Sequence, residues 1–178
     1  METWTIYALL TVLSWGVYGV ILHKGRGLMP MGNGEAPHAS LKAFLFVCIA
    51  YAVIGIVTAV VLKLRGSNWS FTSSGITWSF IAGVTGALGA FTLVLALGAA
   101  AQFYKGAAAA AVMPIVFGGA PVINTITAMI MHPPEGGIKA IPLPFFIGCI
   151  MAASGAVLVA KYAPSNRGAA PAATAKPH

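Results

Sequence analysis

Apolar residues gather into five runs, near 5–22, 41–62, 76–98, 107–131 and 143–162, and polar residues collect in the short segments between them. No Asp, Glu, Arg or His interrupts a run, and Lys42 and Lys161 sit only at run edges. A helix needs roughly 20 mainly apolar residues to cross a bilayer's hydrocarbon core. Each run meets that length. The pattern predicts an all-α, polytopic membrane protein with five transmembrane helices in a compact bundle over residues 1–162. The remainder, 163–178, is rich in Pro and Ala without hydrophobic pattern, and is predicted to be disordered. The opening Met1-Glu2-Thr3-Trp4 lacks the basic start of a removable signal peptide, so the first run is expected to stay as a helix.

Composition agrees with the pattern. A soluble chain of 178 residues would not combine 58% hydrophobic with 7% charged residues, because its own surface must be solvated. The formal charge of +7 comes from scattered basic residues with no cluster longer than His23-Lys24-Gly25-Arg26. Membrane lipid is therefore the expected partner, and nucleic acid is not. Cys48 and Cys149 fall among apolar neighbours, where reduced Cys acts as a small hydrophobe; neither a disulfide nor a metal site is expected.

Charge also orients the chain. Five spans place Lys63, Arg65 and Lys139 on one side, and Lys24, Arg26, Lys42, Lys105, Lys161, Arg167 and Lys176 on the other. The bias of seven to three favours an external N-terminus and a cytoplasmic C-terminus in the cell (inner) membrane. The first loop, His23 to Ser40, holds four glycines and two prolines in eighteen residues. It is predicted to be mobile or interfacial rather than a sixth helix.

Within the runs, polar and small residues fall on particular faces. Tyr7, Thr11, Ser14 and Tyr18 lie at offsets 0, 4, 7 and 11, one stripe of the first helix. Hydroxyls in hydrocarbon need partners, either backbone carbonyls and neighbouring helices or a wet cavity with substrate in it. Gly83, Gly86 and Gly89 recur every three residues in the third run, where close helix approach is expected, with Thr85 and Thr92 beside them. The fourth run carries Pro114 and Pro121 on one face with Gly118 between them, and Asn124 just below. Each proline frees a carbonyl four residues earlier, so this face suits a polar cavity or hinge as well as plain packing. The fifth run repeats small residues at Gly148, Ala152, Ala156 and Ala160.

These runs resemble a known family. ALLTVLSWGVYGVILHKG is similar to the opening helix of the drug/metabolite transporter superfamily (EamA-like members), and the glycine-rich third run, ending in Ala96-Leu97 before the Pro114-bearing fourth, resembles its third and fourth helices. FFIGCIMAASGAVLVAKY looks like the last helix of a repeat. The resemblance implies a single five-helix half, working as a homodimer or with a second membrane subunit around a small-molecule path. Two departures limit it. The region where the family often has Gly-Glu reads Met131-His132-Pro133-Pro134-Glu135, and the first run lacks the carboxylate of the small proton-coupled antiporters.

Proton coupling needs an ionisable group inside the membrane, and no span supplies one. The reading is thus a half-size transporter of a small neutral or weakly polar metabolite. Its candidate substrate-binding residues are Tyr7, Thr11, Ser14, Tyr18, Thr85, Thr92, Pro114, Gly118, Pro121 and Asn124. The alternative is a structural or accessory subunit of a larger membrane complex that moves nothing. No enzyme signature, cofactor motif or metal-ligand spacing is found, the four histidines being far apart.

Overall fold

The computed structural model describes residues 2–30 and 36–163. The predicted tail, from 164 on, lies outside the described residues. Among the described residues five α-helices follow one another: α1 (Thr3–Gly27), α2 (Ala36–Leu64), α3 (Ser73–Tyr104), α4 (Ala108–Met131) and α5 (Leu143–Lys161). Short 3-10 turns occur at Lys105–Ala107 and Ile138–Ala140, and there is no strand among the described residues.

Local chemistry sets the boundaries. α1 continues five residues past the first apolar run, because Lys24 and Arg26 complement its C-terminal dipole. It stops three residues short of Pro30, which cannot extend a helix. α2 ends in a Schellman closure around Gly66 at φ +65°, with Ser67 N–H donating to Leu62 O at 3.0 Å and Gly66 N–H to Lys63 O at 3.1 Å. At the start of α3, Thr72 Oγ1 accepts from Gly75 N–H at 3.3 Å and serves as the N-cap.

The first loop is shorter than the glycine and proline pattern predicts. His23–Gly27 belongs to α1, since isolated glycines cost a helix only about 1 kcal/mol each, and Ala36–Ser40 belongs to α2, with Pro37 in the first turn, where a proline is tolerated. Residues 31–35, the middle of that loop, lie outside the described residues.

Four helical stretches are long and apolar enough to cross a membrane among the described residues: Thr3–Gly27, His38–Leu64, Ser73–Met131 and Leu143–Lys161. The sequence pattern predicts five spans. The difference lies in Ser73–Met131, 59 residues that take in α3, the 3-10 turn and α4. Lys105, within that turn, has φ +49°, a left-handed conformation costly for a residue with a Cβ. α4 itself runs unbroken through Pro114 and Pro121.

The chain divides into two compact units at Gly98 and Ala99. In the first, α1 packs on α2. α2 meets α3 where Phe44 and Phe91 stand edge to face, their centroids 5.2 Å apart, and where the Ser40 hydroxyl lies against Gly98. Around these contacts Ala39, Ser40 and Ala43 of α2 and Ala90, Leu93, Val94 and Leu97 of α3 are buried. The spacing of the α3 set repeats every three to four residues, one helical face.

In the second unit α4 packs on α5. A Cβ on Gly118 would collide with the Ala156 methyl and stand 3.3 Å from Ala152 O, so the glycine is what allows this approach. Elsewhere the large side chains point outward: Leu13, Ile54, Val57, Phe80, Ile150 and Val157 are all exposed. Apolar surface on this scale has no place in water. With the helix lengths, it marks the chain as membrane-embedded.

Candidate functional site

Several threonine hydroxyls on the spans close onto their own helices. Thr11 Oγ1 donates to Tyr7 O at 2.9 Å, Thr85 Oγ1 to Ile81 O at 2.9 Å and Thr92 Oγ1 to Leu88 O at 2.9 Å. Thr58 and Thr77 bond their i−4 carbonyls in the same way. This back-bonding satisfies the hydroxyl in hydrocarbon without a ligand. Thr11, Thr85 and Thr92 are exposed, as is Tyr7, and none of the four lines a described cavity.

Ser14 and Tyr18 differ. They line a cavity of about 220 Å³ in the first unit with Trp15 on α1 and Val47, Ala50 and Tyr51 on α2. The Tyr18 hydroxyl is buried and has no hydrogen-bond partner. Its ring lies 5.5 Å from that of Trp15, inclined at 55°. Such packing fixes the ring and so the position of the hydroxyl.

A second cavity, of about 460 Å³, shares Trp15 and Tyr51 as walls and adds Cys48 from α2 and Gly83, Gly86 and Ala87 from α3. Together these residues make one groove in the first unit. Aromatic rings bound it, small residues floor it, and Ser14, Tyr18, Cys48 and Tyr51 supply its polar atoms. No lining residue is charged.

The residues expected on α4 part ways. Gly118 is taken up by contact with α5, Pro114 is half-buried and Pro121 is exposed. Asn124 lines a cavity of about 370 Å³ in the second unit with Thr125, Ala128, Met129, His132, Pro134, Ile141 and Phe145. Of the ten candidates, Ser14 and Tyr18 therefore share one groove, Asn124 lines another cavity, and the other seven line neither.

Sequence reasoning misses Trp15, Cys48, Tyr51 and His132. A signal for the α2 wall is present: Phe44, Val47, Cys48 and Tyr51 fall at offsets 0, 3, 4 and 7, one helical face, inside a run too uniformly apolar to show a polar stripe. Among the described residues no group of three or more His, Cys, Asp or Glu could hold a metal ion. The groove presents hydroxyl and thiol groups on an apolar, uncharged surface.

Comparison with family models, with curated proteins and with solved structures gives no match.

Proposed function

We propose that this chain is a half-size membrane transporter of the drug/metabolite type, an EamA-like five-helix half. It moves a small neutral or weakly polar metabolite through the α1–α2–α3 groove and works as a homodimer or with a second membrane subunit. The observation that carries the reading is the buried, unpartnered Tyr18 hydroxyl in a groove without charge. An unmet hydroxyl in an apolar setting costs about 1–3 kcal/mol, a cost that a hydrogen-bonding solute removes. A neutral solute brings no charge to be desolvated.

Five spans fit this reading better than four. A single helix over Ser73–Met131 would extend roughly 90 Å, about three times the hydrocarbon thickness. The left-handed Lys105 and its 3-10 turn interrupt that stretch. In this topology the N-terminus is external and the C-terminus cytoplasmic in the inner membrane, following the basic residues.

The test is solute entry into proteoliposomes carrying the purified protein, followed by swelling across a panel of neutral probes: glycerol, sugars and amino-acid amides. At least one should enter faster than into empty vesicles, and Tyr18→Phe should slow that entry about five- to tenfold, the worth of one hydrogen bond. No acceleration for any probe, with protein inserted and folded, would remove the transport reading.

One observation favours the second reading, a non-transporting subunit of a larger complex. Among the described residues nothing lies within 4 Å of where a Cβ would stand on Gly83, Gly86 or Gly89, so a ridge shaped for close helix approach has no described helix against it. Purification in mild detergent separates the two. A self-dimer supports the transporter half, and a chain found only within an assembly of several other polypeptides supports the accessory subunit.

A further inference from the structure

We infer that the corner of the first unit where α1 ends and α2 begins binds one phosphate-bearing anion, with Arg26 as its principal ligand. The inference is independent of transport through the groove. Arg26 sits in the last turn of α1, and its Nε is buried without a hydrogen-bond partner. Its Nη1 lies 3.9 Å from where a Cβ of Gly98 would be, and Ser40 Oγ lies 2.6 Å from the same point. Ser40 is only 3% exposed. The guanidinium is therefore drawn over the Ser40–Gly98 contact between α2 and α3 instead of reaching freely into water. Lys42 Nζ donates to Pro30 O at 3.1 Å, which brings a second cation to the same corner.

A partly buried guanidinium with no counter-charge among the described residues is costly, and the cost falls when an anion completes it. The bland account, basic residues complementing the α1 dipole, explains Lys24 in solvent but not a buried Nε. Of the chain's three acidic residues, Glu2 stands at the other end of α1, Glu135 belongs to the second unit, and Glu35 lies outside the described residues. Arg26 forms no ion pair among the described residues.

The planar fork of Arg matches phosphate oxygens two at a time, and a lysine beside it adds a point charge. Depth agrees as well. α1 is 25 residues, about 37 Å, so Arg26 lies at headgroup level when the apolar run fills the hydrocarbon. The shared chemistry is a phosphate oxyanion, from a lipid phosphodiester or from phosphate in solution.

Native mass spectrometry of the full chain, given phosphatidylglycerol or phosphatidylcholine in equal amounts, tests this. The anionic lipid should be retained over the zwitterionic one. Arg26→Gln should reduce its adduct about fivefold, while Arg65→Gln, at the far end of α2, leaves it unchanged. Gly98→Ala, whose methyl would collide with Ser40 Oγ beside the guanidinium, should reduce it too. If Arg26→Gln does not fold, Arg26→Lys keeps the charge and loses the fork, and should weaken retention in part. Inorganic phosphate that binds alone with the same Arg26 dependence would support the site and assign it to the solute; binding by the lipid only assigns it to the headgroup. Equal retention of both lipids, or an Arg26→Gln adduct equal to that of the unaltered chain, would overturn the inference.

Discussion

At the scale of single residues, hydroxyls that look alike in the sequence have different fates. Thr11, Thr85 and Thr92 return their hydrogen bonds to their own helices, whereas the Tyr18 phenol is too long to reach an i−4 carbonyl and remains unmet in the groove. Thr85→Val should therefore change solute entry little, while Tyr18→Phe slows it, a comparison that vesicle swelling reads directly. Gly118 makes a second residue-scale prediction. Its space is filled by Ala156, so Gly118→Ala forces α4 and α5 apart and should destabilise the protein by about 1–3 kcal/mol, read as a lower unfolding midpoint in detergent. Gly86→Ala meets nothing within 4 Å among the described residues and should leave that midpoint unchanged. In the sequence both are glycines on small-residue faces. Which face another helix covers depends on packing that a uniformly apolar run does not encode, because every face of such a helix suits lipid.

At the scale of elements, run boundaries are legible in the sequence and helix ends are not. Apolar runs mark where the hydrocarbon is, but helices end where backbone chemistry stops them: before Pro30, at Gly66 and at the Thr72 cap. Thr72→Ala should cost about 1 kcal/mol by removing that cap, measurable in the same unfolding assay. The turn between α3 and α4 makes the sharper prediction. Lys105 holds φ +49°, so Lys105→Gly relieves strain and should stabilise by about 1 kcal/mol, while Lys105→Val should destabilise by more. An opposite order would mean that the chain does not turn through a left-handed residue there. The Asn124 cavity is legible in part. A lone amide inside a span signals a polar site, yet His132 and Pro134, which help to line it, follow the run's end and read as loop.

At the scale of the whole molecule, five apolar runs suffice to specify a membrane-embedded chain whose described residues form helices without strands. They do not specify the partition into two units, since α3 is one continuous apolar helix through Gly98 and Ala99. The groove is half legible. Ser14 and Tyr18 stand out as polar residues on a stripe, while its other walls, Trp15, Cys48 and Tyr51, read as ordinary apolar positions. Orientation rests on charge alone: a C-terminal reporter that works only in the cytoplasm should be active, and one that requires export should be silent.

The central claim is that α1, α2 and α3 enclose a groove open to polar solutes within a membrane-embedded chain, and Cys48, one of its walls, is a native probe of it. With Cys149 replaced by Ala, membranes carrying the protein should be treated with a membrane-impermeant maleimide. The account predicts labelling of Cys48 in the folded protein, slowed by any neutral probe that enters the vesicles and abolished by Cys48→Ala. A Cys48 that reacts only after unfolding in detergent would show a face sealed by lipid or protein, and would contradict the groove.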